Sequence, residues 1–187
     1  MSKLSDDIDQ AFNAAGQSAQ PSLSLSKVRG WMVSEDIEAL GILGRLISSP
    51  EYFSCIQPAI PFEEYKNFFL RYYSRCFIEN PDLEEADGRY EAGYDLMAWF
   101  TWMWSNPEIP RAALAEIKDW LASLYRNGDE NLRRAIVDAT LEHLFENDDI
   151  AVYFQSWKDD PILKQAHAEA SDWVAGLKEH GIQFPTR

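Results

Sequence analysis

The sequence predicts an all-α fold, a single-domain bundle of about 7–8 helices. Three observations carry this reading. Apolar residues recur at three- and four-residue spacing through most of the chain. Strand-like alternation between turn signals is almost absent. Start and stop residues fall at the edges of the periodic stretches. Asp82 and Glu85 form a D-x-x-E capping box, Asp160–Pro161 reads as an N-cap followed by a first-turn proline, and Gly128 and Gly181 sit where C-caps belong.

In chain order, residues 1–27 read as an N-terminal arm. Its stretch NAAGQSAQPSLSLSK is rich in Ser, Ala and Gln, so it is expected to be mobile or loosely packed, with one short helix at Leu4–Ala14. Residues 28–187 form the all-α domain. Its expected helices are Ser34–Ile47, a short turn after Pro50, Phe62–Ile78, Leu83–Trp104, Pro110–Arg126, Glu130–Glu146, Asp149–Trp157 and Pro161–Glu179.

Two of these segments echo each other. Shifting the chain by 53 positions aligns 104–128 with 157–181, with 10 identities over 25 positions, including DWLASL against DWVAGL. The expectation is a pseudo-repeated helix hairpin. At about 100° per residue, Ala113, Leu114, Ile117, Trp120, Leu121 and Leu124 share one face, and so do Ala166, Ala170, Trp173, Val174 and Leu177. Those residues are expected in the core, with Asp119, Asp172, Glu116 and Glu169 facing solvent.

Hydrophobic residues make up 46% of the 187, with seven Trp, enough for a sizeable core without staples. Cys55 and Cys76 are too few for a disulfide framework and read as free core thiols in a reducing compartment. No secretory signal or membrane-length apolar run is visible, so the expected location is the cytoplasm. The net charge of −14 opposes binding to nucleic acid or to anionic membranes and favours a basic protein partner, unless it serves solubility alone. Oligomeric state is not fixed by the sequence.

No catalytic or cofactor motif stands out, and no catalytic, cofactor-binding or metal residue is assigned. The nearest approach to metal chemistry is LEHLFENDD, where His143 lies among Glu142, Glu146, Asp148 and Asp149. Its helix buries Ile136, Val137, Thr140, Leu141 and Leu144, which turns Glu142 and Glu146 outward and leaves His143 at the boundary; a closed metal site needs inward ligands. His167 is expected to flank the core, and His180 suits the last turn of a helix. AWFTWMW, 98–104, reads as a buried central helix or, alternatively, as the wall of a ligand pocket. FFLRYY invites the same pair of readings, with Arg71 and Arg75 available to local acids.

The acids are unevenly spread. Residues 79–95 hold seven acids and one Arg, and 138–160 hold seven acids and one Lys. Each stretch leads into one copy of the echo, so pseudo-symmetric packing would bring both to one side and focus a negative field. The expected partner-binding residues are Asp82, Glu84, Glu85, Asp87 and Glu91 in the first patch and Glu146, Asp148, Asp149, Asp159 and Asp160 in the second.

The stretch 140–173, with LEHLFE, the Tyr153–Phe154 pair, Trp157, Asp160–Pro161 and Trp173, resembles the C-terminal pattern of small bacterial all-α proteins that are themselves similar to toxin-immunity proteins. The resemblance implies the fold more than an activity, and no family site residue carries over. Together with the acidic patches, it leads to the expectation of a non-enzymatic, immunity-type inhibitor that neutralises a basic, secreted toxin. Two other classes stay open: a small-molecule or metal-binding helical enzyme using the aromatic cluster with His143 or His167, and a cytoplasmic chaperone or scaffold.

Overall fold

Helices carry most of residues 2–17 and 22–182, the part of the chain that the computed structural model describes. The fold is all-α, and it divides between Gly88 and Arg89 into two compact units.

The first unit runs α1 (Lys3–Gly16), β1 (Leu23–Ser24), α2 (Leu25–Met32), α3 (Ile37–Ser48), α4 (Pro50–Ser54), β2 (Ile56–Gln57) and α5 (Phe62–Glu79). Ser2 starts α1 by accepting the Ser5 amide, and the α1 stripe Ile8, Phe12 and Ala15 is buried where α1 packs on α3. The expected helix at Leu4–Ala14 is therefore α1, and its apolar stripe belongs to the core. The rest of the expected arm holds two further buried leucines, Leu23 and Leu25, while residues 18–21 lie outside the described part. Leu23 and Ser24 pair in parallel with Ile56 and Gln57, a two-residue ladder between helices. Val28 and Trp31 turn α2 inward, although RGWM lacks the periodic run that marks the longer helices. Asp36 caps α3 through the amides of Glu38 and Ala39.

The second unit runs α6 (Arg89–Ser105), α7 (Arg111–Asn127), α8 (Glu130–Ile136), a π-helical turn (Val137–Leu141), α9 (Glu142–Leu144), α10 (Asp148–Tyr153), a 3-10 turn (Gln155–Asp159) and α11 (Leu163–Glu179). Leu96, Phe100 and Met103 of α6, Leu114, Ile117 and Leu121 of α7, and Ala166 and Ala170 of α11 are buried. Phe145, Phe154 and Trp157 add an aromatic cluster, with Phe154 5.8 Å from Phe145 and 5.1 Å from Trp157.

Several boundaries depart from expectation: the helix expected from Ser34 begins at Ile37 behind the Asp36 cap, and the one expected at Asp149–Trp157 is α10 followed by the 3-10 turn. The helix expected from Leu83 begins at Arg89, because Asp82 has φ 44°, outside the extended region an N-cap adopts. The helix expected at Glu130–Glu146 is interrupted by the π-helical turn. Its extra residue widens the inward arc, so Ala139 is fully buried together with Thr140 and Leu141. Gly128 is extended, with φ −75°, so it is no left-handed cap, whereas Gly181 has the φ of 80° that such a cap requires. The pseudo-repeated hairpin is not confirmed. Trp104 lies near the end of the 17-residue α6, while Trp157 lies in a five-residue 3-10 turn. The inward faces of α7 and α11 match the expectation in part: Ala113, Leu114, Ile117, Leu121, Ala166, Ala170 and Val174 are buried, whereas the echoed Trp120, Leu124, Trp173 and Leu177, expected in the core, are half-buried at its edge.

Candidate functional site

The first acidic stretch is a loop, 80–88, held on the first unit by three contacts. The Tyr72 hydroxyl donates to Asp87 Oδ2 at 2.8 Å and accepts the Asp87 amide at 3.1 Å. Burial pushes the Tyr72 phenol up in pKa, so it stays a neutral donor, and pushes the neighbouring Cys76 thiol up to about 12. Arg45 pairs with Glu85. Gly41 of α3 lies directly under the Glu85 carbonyl, where any Cβ would collide. Leu83 and Ala86 exchange backbone hydrogen bonds of 3.0 and 3.3 Å across the tip. Asn80 and Asp82 both take positive φ, 47° and 44°, which Asn and Asp tolerate better than most residues. Within this patch Asp82 and Glu84 are exposed, and Glu85 and Asp87 are half-buried and hold the loop in place. Glu91 is exposed on α6 and belongs to the second unit.

The second stretch is also partly committed to the fold. Asp160 Oδ1 accepts the amides of Ile162 and Leu163 at 2.9 and 3.0 Å, and Oδ2 accepts Arg126 at 2.8 Å. The Leu163 amide, then Arg126 and the Ile162 amide, hold this carboxyl at about 2. It serves as the cap that Asp160–Pro161 predicts. Glu146 pairs with His143 Nδ1 at 2.9 Å, and Asp148 with Lys178 at 3.0 Å. Asp148, Asp149 and Asp159 are exposed. The inference that the two stretches converge loses its basis with the pseudo-repeat.

The histidines sit near where the pattern puts them. His143 is half-buried, its ring 5.4 Å from Tyr94 and 5.1 Å from Trp173. His167 is buried against Phe145, with Nδ1 3.2 Å from Ser171 Oγ, and burial pushes its pKa down. His180 is exposed at the end of α11 and donates through Nδ1 to the Gly176 carbonyl at 2.7 Å. Among the described residues, no three His, Cys, Asp or Glu are grouped to hold a metal ion. No helix among them is long and apolar enough to cross a membrane. Arg71 and Arg75 cap the α2–α3 link, reaching the Met32, Ser34 and Glu35 carbonyls, and pair with Glu35 and Glu79.

A polar groove of about 680 Å³ opens beside the π-helical turn, which no residue pattern had signalled. Tyr125, Arg133, Asp138, Glu142, Gln165 and Glu169 are among its walls. Arg133 is committed to backbone: Nε donates to the Tyr125 carbonyl at 2.8 Å and a terminal nitrogen to that of Arg126 at 2.9 Å. Glu169 accepts Gln165 at 2.8 Å. Burial, and then the nearby Asp138 charge, raise Glu142 to about 7. A carboxyl that titrates at neutrality can give or take a proton. A smaller groove of about 270 Å³ contains Lys118, whose ammonium donates to the Tyr153 carbonyl at 2.7 Å and to Ser156 Oγ at 2.8 Å. Burial lowers the Lys118 pKa. Neither groove is lined by residues 98–104.

The aromatic run splits three ways. Trp99, Phe100 and Met103 are buried, Trp104 is half-buried, and Trp102 is 53% exposed. The reading of that whole run as core is thus corrected at Trp102. The periodicity of α6 allows this, since 102 lies off the face shared by 96, 99, 100 and 103.

No family model, curated protein or solved structure matches the chain.

Proposed function

We propose that this chain is a non-enzymatic binding protein for a basic protein partner, in its most concrete form an immunity-type inhibitor of a basic toxin. The observation that carries the reading is the charge: −14 in all, with Asp82, Glu84, Glu91, Asp149 and Asp159 standing exposed on a helical frame. Exposed carboxylates of one sign steer a cationic protein at long range and accept its Lys and Arg donors on contact. Of the other expected contacts, Glu85, Asp87, Glu146 and Asp160 serve chiefly to hold loops and helix ends in place, and the exposed Asp148 pairs with Lys178.

The test is to reverse Asp82, Glu84, Glu91, Asp149 and Asp159 to Lys and measure association with the basic product of a neighbouring toxin gene, together with rescue from its toxicity. Association should slow by about tenfold or more at low salt, with a flatter salt dependence. A partner that binds the variant at the same rate and salt dependence sinks the electrostatic reading.

A second reading, a ligand-binding or catalytic bundle, is favoured by one specific observation: Glu142 held near neutrality beside the groove at a π-helical turn, a feature frequent at functional sites. Its centre is Glu142, in place of the aromatic run with His143 or His167.

A further inference from the structure

We propose that the outer face of α6 is the contact surface for an arginine-bearing segment of the basic partner; this rests on the function proposed above. At about 100° per residue, Tyr90, Glu91, Tyr94, Asp95, Ala98 and Trp102 occupy one arc of roughly 140°. All six are exposed, and the three aromatics are 39%, 46% and 53% exposed at Tyr90, Tyr94 and Trp102. The opposite face, with Ala92, Gly93, Leu96, Phe100 and Met103, is buried in the second unit. Three large rings exposed on one helix face form an apolar patch; Tyr94 lies 5.4 Å from the His143 ring and Tyr90 donates to Asp138 Oδ2 at 3.4 Å, while Trp102 is the most exposed of the three.

The chemistry of the face selects its occupant. It interleaves aromatic rings with the carboxylates Glu91 and Asp95, and α6 carries no Lys or Arg beyond its first residue, Arg89. A guanidinium stacks on Tyr and Trp faces and donates to carboxylates from its edge, so a planar cation uses both elements at once. Tyr and Trp are the side chains most often found at interface hot spots. A second copy of this chain is a poor occupant, because a two-fold contact would set each copy's Glu91 and Asp95 against an equally acidic face. Nucleic acid is excluded by the same charge.

The probe is a synthetic 18-residue helical peptide bearing Arg at positions i, i+3, i+4 and i+7 on an Ala-rich background, titrated into the full chain. Binding is followed by amide and indole NMR shifts, at 20 and 200 mM salt. The Trp102 indole signal should shift saturably. Trp102→Ala and the double variant Glu91→Lys with Asp95→Lys should each weaken binding by about tenfold or more. Asp119→Lys with Asp172→Lys makes the same change in net charge on exposed positions of α7 and α11, and should weaken it by less than about threefold. Circular dichroism confirms that each variant is folded. A wild-type chain that ignores the peptide overturns the face assignment. So do equal losses in the two double variants, or an unaltered affinity in Trp102→Ala. Binding that ignores salt and both charge reversals overturns the electrostatic function itself.

Discussion

Residues 1–88 hold 14 acids against seven bases, and residues 89–187 hold 17 against ten, so each unit carries a net charge of −7. The two units handle that equal burden differently. In the first, the acidic loop is tied by a buried phenol, one guanidinium and a glycine: Tyr72, Arg45 and Gly41. Three other arginines each pair with an outer acid, as Arg29 does with Glu64, Arg71 with Glu35 and Arg75 with Glu79. In the second, Asp129 caps the Leu132 amide and Asp160 those of Ile162 and Leu163, as Asp36 caps α3 in the first, and Glu146 and Asp148 pair with His143 and Lys178. Glu142 stands apart, raised in pKa by burial and then by the nearby Asp138 charge. Equal net charge therefore says little about which carboxylates stay available to a partner. What decides it is whether each has a donor supplied by its own fold.

Each unit also has a close approach at a glycine inside a helix, and substitution there should give the largest effects. Gly41→Ala places a Cβ against the Glu85 carbonyl, which is backbone and has little freedom to yield. A loss of about 2–3 kcal/mol in chemical denaturation is expected, with faster amide exchange across 80–88. Ala at an ordinary helix-interior position would gain about 1 kcal/mol instead, so a gain here would mean that the loop does not rest on α3.

Gly93→Ala is the counterpart in the second unit. Its Cβ would lie 2.6 Å from Ala139 Cβ and 3.1 Å from Thr140 Oγ1, the hydroxyl that donates to the Gly93 carbonyl at 3.1 Å. A loss of about 1–2 kcal/mol is expected, and Gly176→Ala, with nothing within 4 Å, is its neutral or stabilising control. Equal behaviour of the two glycine variants would show that the π-helical turn does not pack on α6.

The smallest effect sharpens the contrast in charge. Glu142 titrates at about 7 in the fold, against about 4.3 in an unfolded chain. The folded state holds the proton more tightly, so stability falls as pH rises from about 4.3 to about 7 and stays lower above that. Glu142→Gln removes this decline. Because the group is partly solvated, the gain at pH 8 relative to pH 4 should be about 1 kcal/mol, read from denaturation at both pH values. An unchanged pH dependence would place Glu142 in open solvent.

Much of the helical pattern was legible. Phe62–Ile78 and Pro110–Arg126 lie within a residue or so of α5 and α7, because strong amphipathic periodicity and a flanking Pro act locally. The inward faces of α7 and α11, the free buried thiols and the Asp160 cap follow from the same local rules. Of the candidate contacts, exposure at Asp82, Glu84, Glu91, Asp149 and Asp159 agrees with a polar residue off the apolar stripe. Glycines inside helix patterns, Gly41 and Gly93, were the one available signal of close packing.

The remaining features belong to tertiary structure, since each depends on a partner distant in sequence. Asp82–Glu85 spells a capping box, yet the loop is held by Tyr72, by Arg45 and by the close approach of the Glu85 carbonyl to Gly41. The π-helical turn has no spelling of its own; it lets Thr140 reach Gly93, 47 residues away. The groove and the shifted Glu142 come with that turn. Trp102 belongs to an aromatic run that composition assigns to a core, and only the packing of α6 leaves that one ring in solvent. The sequence by itself determined the helices and the total charge, because periodicity and charge are sums over neighbours. Which acids and which ring stay exposed was decided by long-range contacts, because exposure is whatever the packing leaves uncovered.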